Sequence, residues 1–313
     1  MAVEPLKRLS VSEVTTLHSS FDSDVTNYSA AGLGGIGLWE SKLAGRDLDE
    51  VGGQLSAAGV RVTNLVPTGN SVFPNTLDPQ PVDPRVRTEA LIAKLPSFCS
   101  LEPETIVVVT GNVPGLDPAE LRQRCVSELR RIAVCAGELG LTVALEPMHP
   151  SAADDFSFVD TLAAAANLVG DVDQASLGIL FDTWHVGQGR DAVDELRALV
   201  DLVVGVHVAD ALPPPRGWAD RQFPGEGTLP IAQFLSVLES NGFKGSYDVE
   251  IFSDDGTFGS RFPDSLWELP DEVCLARATE LLRGLLANTC PTAPSPTDAH
   301  IRETTFNQER RHV

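Results

Sequence analysis

Three carboxylates and one imidazole, Glu146, Asp182, His207 and Glu250, each close a short run of β-branched and aliphatic residues. The runs are Thr142-Val143-Ala144-Leu145-Glu146, Gly178-Ile179-Leu180-Phe181-Asp182, Val203-Val204-Gly205-Val206-His207 and Tyr247-Asp248-Val249-Glu250. Such runs read as strands buried on both faces. A charge at the end of a buried strand is costly unless something there pairs with it. Four such ends, spaced 36, 25 and 43 residues apart, point to parallel strands whose tips converge on one divalent cation. The donor set is hard and oxygen-rich. It suits Mn²⁺ best, with Mg²⁺, Co²⁺ or Zn²⁺ as alternatives, and leaves positions open for water or substrate oxygens. Each residue alone also reads as a salt-bridged or capping group; four at the same end of their strands favour a site.

Other residues near strand ends are candidates for the pocket around such an ion. His149 follows Glu146-Pro147-Met148 and either lines the mouth or bonds a loop carbonyl. Trp39 and His18 fall at ends of early strands, where an aromatic face can form one wall of a pocket; barrel packing is the alternative. Trp184 points either into the site or outward beneath the helices. Glu40 and Lys42 belong to the pocket or to a solvated loop.

The elements that must position these residues alternate strand and helix eight times, which predicts a parallel sheet covered by helices. Expected strands are Val14–His18, Gly35–Trp39, Arg61–Leu65, Thr105–Thr110, Thr142–Pro147, Leu177–Asp182, Leu202–Val208 and Ser246–Ile251. Helix signals lie between them: Asp117-Pro118 is a cap followed by proline, and Ala58-Gly59 is a stop. Eight units in about 250 residues match a (β/α)8 TIM barrel of the α/β class. The rival, an open doubly wound sheet, needs a glycine-rich phosphate loop after its first strand, and Ser19-Ser20-Phe21-Asp22 offers none. Residues 1–290 are therefore read as one barrel domain, with Thr68–Pro81 as a loop over its mouth. The Pro/Thr/Ser-rich residues 291–313 are read as a disordered C-terminal tail.

Composition narrows the partners. The net charge of −21, from 23 basic and 44 acidic residues, would repel a polyanion, so no nucleic acid partner is expected. No apolar stretch reaches the roughly 18 residues of a membrane span. Five cysteines without CxxC spacing, and an N-terminus without a secretory signal, predict a reducing cytoplasm. A small molecule is the expected partner, with homo- or hetero-oligomerisation open.

Leu145-Glu146-Pro147, Phe181-Asp182-Thr183-Trp184-His185, Val206-His207-Val208-Ala209-Asp210, Arg221-Gln222-Phe223-Pro224-Gly225-Glu226-Gly227 and Val249-Glu250-Ile251 together resemble the xylose-isomerase-like superfamily of sugar isomerases and epimerases. Ketose 3-epimerases and inosose dehydratases belong to it. The resemblance covers about residues 10 to 287. It implies that Glu146, Asp182, His207 and Glu250 bind the metal. It also implies that Glu146 and Glu250, on opposite faces of a ketose or enediol, move the proton while the metal polarises the carbonyl. By the same resemblance His185 contacts substrate oxygens; a simple capping histidine is the alternative. Arg221 matches a residue that binds substrate oxygens, as its planar fork allows, and a surface arginine is the alternative.

The implied activity is a divalent-metal-dependent isomerase or epimerase of a sugar, polyol or related hydroxy-ketone. Two other readings stay open. One is a lyase sharing the first proton abstraction, either a dehydratase of inosose type or one that eliminates an aglycone from an oxidised glycoside. The other is a non-catalytic barrel subunit. The chain departs from the epimerases after His185, where Val186-Gly187-Gln188-Gly189-Arg190 lacks an expected acidic pair. The proline-rich Ala211–Trp218 loop brings an aromatic group toward the mouth. The first departure argues against a preference for free ketoses; the second points to a substrate larger or less polar than a pentose or hexose.

Overall fold

A computed structural model describes residues 5–43 and 45–289; the C-terminal segment read above as a tail lies outside the described residues. Eight parallel strands close on themselves in the order β1 to β8, with β1 paired to β8. The strands are β1 (Leu9–Ser12), β2 (Gly35–Trp39), β3 (Arg61–Val66), β4 (Thr105–Val108), β5 (Val143–Leu145), β6 (Leu177–Asp182), β7 (Val203–Val208) and β8 (Tyr247–Val249). The first four intervals carry α1 (Phe21–Ala30), α2 (Leu48–Ala58), α3 (Pro84–Phe98) and α4 (Pro118–Glu138). After β5 come a single turn, α5 (Ala153–Phe156), and α6 (Leu162–Val172). After β6 come a single turn, α7 (Thr183–Val186), and α8 (Ala192–Leu199), followed by α9 (Ile231–Ser240) and α10 (Asp271–Thr289). This is the expected (β/α)8 barrel.

Local chemistry starts and stops these helices as anticipated. The Asp117 carboxylate accepts from the amides of Ala119 and Glu120, and Pro118 occupies a first-turn position that has no partner for an N–H. Asp47 caps α2 in the same way. That helix ends at Gly59, whose φ of +72° is a left-handed value that glycine adopts without strain. Outward-facing strand residues such as Leu9, Val11, Ile36, Ile106 and Ile179 pack against the helices in the main core. Val107, Ala144 and Leu180 fill the barrel interior as a separate small cluster, one of the side-chain layers that make such a barrel solid.

The first strand is displaced from its expected position. It is Leu9–Ser12, while Val14–Thr16 turns away. In this alternating segment Leu9 and Val11 face the helices and Ser10 meets Thr63 through their hydroxyls at 2.6 Å. The Thr15 hydroxyl instead donates to the Val249 carbonyl at 2.9 Å and accepts from the Ile251 amide at 3.0 Å. Threonine's polar group thus fastens the turn to the end of β8. His18 consequently lies at the exposed rim, 2.8 Å from Asp255, with half of its side chain in solvent.

Candidate metal centre and active site

Register brings the four strand-end residues together. Asp182 pairs with His207 across β6 and β7, and His207 pairs with Asp248 across β7 and β8. Because side chains alternate along a strand, Glu250 shares the face of Asp248. Glu146 lies one residue past β5, its amide bonded to the Val108 carbonyl. One donor atom from each of Glu146, Asp182, His207 and Glu250 falls within 4.8 Å of all the others, and all four residues are buried. Asp182 divides its carboxylate between two tasks. Oδ1 caps α7 by accepting from the amides of Trp184 and His185, and Oδ2 faces the cluster.

His207 Nδ1 lies 3.3 Å from Glu146 Oε1 and 3.2 Å from Glu250 Oε2. Burial works against its charge, but Glu250 and Glu146 hold its pKa well above the ordinary histidine value. Arg221 Nη1 donates to Asp182 Oδ2 at 3.0 Å and to Glu250 Oε2 at 2.9 Å. The two glutamates therefore titrate apart. Burial raises Glu146 to about 7 in spite of His207. Glu250 resists the same burial, because His207 and Arg221 both face it and hold it at about 2. Burial also raises Asp182, against the pull of Arg221. Three desolvated carboxylates thus share one arginine and one histidine, an excess of negative charge that fits a hard divalent cation.

Arg221 is itself set in place by the loops after β7 and β8. Its amide bonds the Phe252 carbonyl at 2.9 Å, and its guanidinium lies 4.7 Å from the Phe252 ring centre and 5.3 Å from that of Trp184. The Asp210 carboxylate accepts from the amides of Ala211, Gly225 and Leu229 and so shapes the loop that follows. Asp220 binds Arg216 rather than Arg221.

His185 is held between two donors. Its Nδ1 accepts from the His149 amide at 2.8 Å, and Arg221 Nη2 stands 2.9 Å from its Nε2. Burial, with Arg221 nearby, lowers the His185 pKa well below the ordinary value, so the ring is neutral. A neutral imidazole has one lone pair to offer and a guanidinium has none. The backbone amide keeps that lone pair, which places the ring proton on Nε2, toward the guanidinium. Two donors then meet head-on, and an oxygen that accepted from both would relieve the conflict.

A cavity of about 370 Å³ opens over this floor. Glu146, Glu250, His185, Arg221 and Trp39 all line it. His149 is not among its lining residues. It contributes its amide to His185, while its ring bonds Ser151 and lies 5.1 Å from the Trp184 ring. Trp184 is fully buried and donates from Nε1 to the Asp220 carbonyl. Lys42 is spent on Asp24 and on the carbonyls of Glu13 and Thr16. The 68–81 segment overhangs the cavity as expected, and Arg87 ties it down through Ser71, Asp78 and Pro81.

Sequence reasoning did not single out Asp248, Phe156, Phe252 or Phe258. Asp248 approaches His207 Nε2 at 3.8 Å and accepts from Asn64 at 2.8 Å. Its spacing of two from Glu250 was the available signal, since alternation puts both on one face. The aromatic residues carried no such mark.

Fold and site together define a closed parallel barrel with a candidate metal centre at the C-terminal ends of its strands. Residues 25–280 match the xylose isomerase-like TIM barrel family, and the chain belongs to it. An inosose isomerase of Halalkalibacterium halodurans is 30% identical over 139 residues, which are 43% of this chain and 48% of that protein. A 3-dehydroshikimate dehydratase of Pseudomonas putida is 29% identical over 155 residues, 48% of this chain and 24% of that protein. The chain thus spans about half or less of the length of these two curated relatives. Among solved structures, the IOLI protein with a zinc atom bound has a TM-score of 0.74 at 20% identity, covering 91% of this chain and all of that one. D-psicose 3-epimerase from Clostridium cellulolyticum H10, with D-tagatose, has a TM-score of 0.72 at 18% identity, covering 89% and 99%. Among the described residues no helix is long and apolar enough to cross a membrane.

Proposed function

We propose that the chain is a divalent-metal-dependent enzyme that moves a proton beside the carbonyl of a sugar, polyol or related hydroxy-ketone, as an isomerase or epimerase. The observation that carries this is the convergence, on one cavity floor, of two buried glutamates with unlike proton affinities and the paired donors of His185 and Arg221. Glu146, Asp182, His207 and Glu250 would hold the ion, which when bound supplies positive charge to polarise a carbonyl. The hard donor set favours Mn²⁺, with Mg²⁺ and Co²⁺ close behind; the zinc in one relative's structure keeps Zn²⁺ in the comparison.

One glutamate takes the proton from the carbon next to the carbonyl, and the electron pair left behind moves onto the carbonyl oxygen. That oxygen gains charge where His185 Nε2–H and Arg221 can donate to it, so the donors act more strongly as the reaction proceeds. The other glutamate, carrying a proton, returns one to the opposite face of the same carbon in epimerisation. In isomerisation it protonates the former carbonyl carbon, while the neighbouring hydroxyl passes its proton to the first oxygen and becomes the new carbonyl. The carboxylates' unequal affinities suit this division of base and acid. A lyase uses the same first step: the enediolate expels a β-hydroxyl, which leaves as water after taking a proton from the protonated glutamate. The dehydratase among the relatives favours keeping this second reading. The free thiols of Cys99, Cys125, Cys135 and Cys274 suit a reducing cytoplasm.

The test is exchange of substrate C–H for deuterium in D₂O, followed by NMR over a panel of ketoses and inososes with each metal added. Glu146→Gln and Glu250→Gln should each abolish exchange while the far-ultraviolet circular dichroism stays that of the parent. A protein that takes up no divalent ion, or a Glu250→Gln variant with full activity, would falsify the assignment and leave a non-catalytic barrel.

A further inference from the structure

Above the polar floor, the cavity wall is aromatic on one side. Trp218 lies 4.9 Å from Phe156, 5.5 Å from Phe252 and 5.4 Å from Phe258 between ring centres, and Trp39 lies 5.7 Å from Phe252. Met148 packs among Phe156 and Trp218. Trp39 ends β2 and the others come from the segments after β5, β7 and β8, so the arc exists only at the assembled mouth. All six line the cavity.

The 68–81 loop also lines the cavity, and much of its polarity is already committed. The Asn75 side chain donates to Ser71 and accepts from the Asp78 amide. Asp78 holds Arg87. A free sugar carries a hydroxyl on nearly every carbon, and each one buried must regain a partner for the water it loses. The floor can supply such partners; among the described residues the arc offers only the Trp218 indole N–H as a donor.

Resting on the proton-transfer reading for its polar half, we propose that the substrate also carries a flat apolar group, an aryl or similar planar aglycone, which lies against Trp218 within the aromatic arc. Trp218 is suited to receive it. The other three tryptophans tie their indole N–H groups to Ser12, Asp220 and Ile251. The Trp218 indole N–H has no protein partner among the described residues, and the ring is only partly covered. Rings of this kind gain from edge and stacked contacts with another aromatic plane.

Calorimetry on the full chain with 4-nitrophenyl β-D-glucopyranoside and methyl β-D-glucopyranoside compares the two halves without requiring turnover. The aryl probe should bind roughly tenfold tighter or more, the size expected for burying one ring. Trp218→Ala should bring the two within about twofold, and Phe258→Leu should narrow the gap partway while the melting temperature holds. Equal affinities, no saturable binding of the aryl probe, or a gap untouched in Trp218→Ala would each overturn the proposal. Deuterium exchange into a plain ketose alongside equal affinities would sink the aryl pocket alone. Aryl preference without exchange into any ketone would sink the proton-transfer reading alone.

Discussion

Arg221 Nη2 stands 2.9 Å from Nε2 of His185, a contact between two donors. The His149 amide takes the one lone pair of the neutral ring, so neither group can satisfy the other. Arg221→Gln and His185→Phe should therefore lower turnover more than they weaken binding. The expected loss in kcat is about 10²- to 10³-fold for either donor. Initial rates of deuterium exchange across a substrate titration separate the two parameters. A rise in KM with kcat unchanged would mean that the pair only holds the ground state.

Asp248 makes a second prediction. It faces the far ring nitrogen of His207, a candidate ligand, at 3.8 Å, beyond hydrogen-bond length, and is the one carboxylate on that nitrogen's side among the described residues. Such partners orient a ligating imidazole, and losing them typically costs about 10- to 100-fold in metal affinity. Asp248→Asn should show that loss in competition with a fluorescent chelator. Gly37 makes room for Asp248: a Cβ there would come within 2.3 Å of Asp248 Oδ2 and 3.0 Å of the Ser12 Cα. Gly37→Ala should weaken metal binding as well and should cost about 1–3 kcal/mol of stability by overpacking.

Stability should also depend on pH through Glu13. This side chain is fully buried, accepts from the Trp39 amide through Oε2, and leaves Oε1 without a partner among the described residues. Burial raises its pKa to about 8, against the pull of Lys42. Between the ordinary carboxylate range and pH 8 the folded chain binds this proton and the unfolded chain does not. Its contribution is thus full at acidic pH and is lost as pH rises through that window, by at most about 1.4 kcal/mol per unit. Glu13→Gln should flatten the fall in melting temperature between pH 6 and 9. An unchanged slope would show that Glu13 is ionised in the native state.

Arg87 anchors the roof of the cavity. It is 2% exposed and bonds both ends of the loop that bears Asn75 and Asp78. Arg87→Ala leaves those carbonyls unanswered and should cost about 1–3 kcal/mol. The loop should become a site of early cleavage in limited proteolysis, and KM should rise more than kcat falls.

The strand tips were legible in the sequence because burial on both faces writes a continuous apolar run, and a charge ending such a run stands out. Glu146, Asp182, His207 and Glu250 needed nothing more to be grouped, and eight alternations sufficed for the barrel. The first strand was not legible in place. Leu9–Ser12 has only two apolar residues, because its other face looks into a narrow interior where serine fits, and Val14–Thr16 carries the stronger β pattern. Tertiary structure alone decided which nitrogen of His185 faces Arg221, that His149 acts through its amide, and that Asp248 stands behind His207. Those relationships join residues 36 or more positions apart through the closure of the sheet. An apolar run records what a strand buries, and says nothing of which neighbour its side chains will meet.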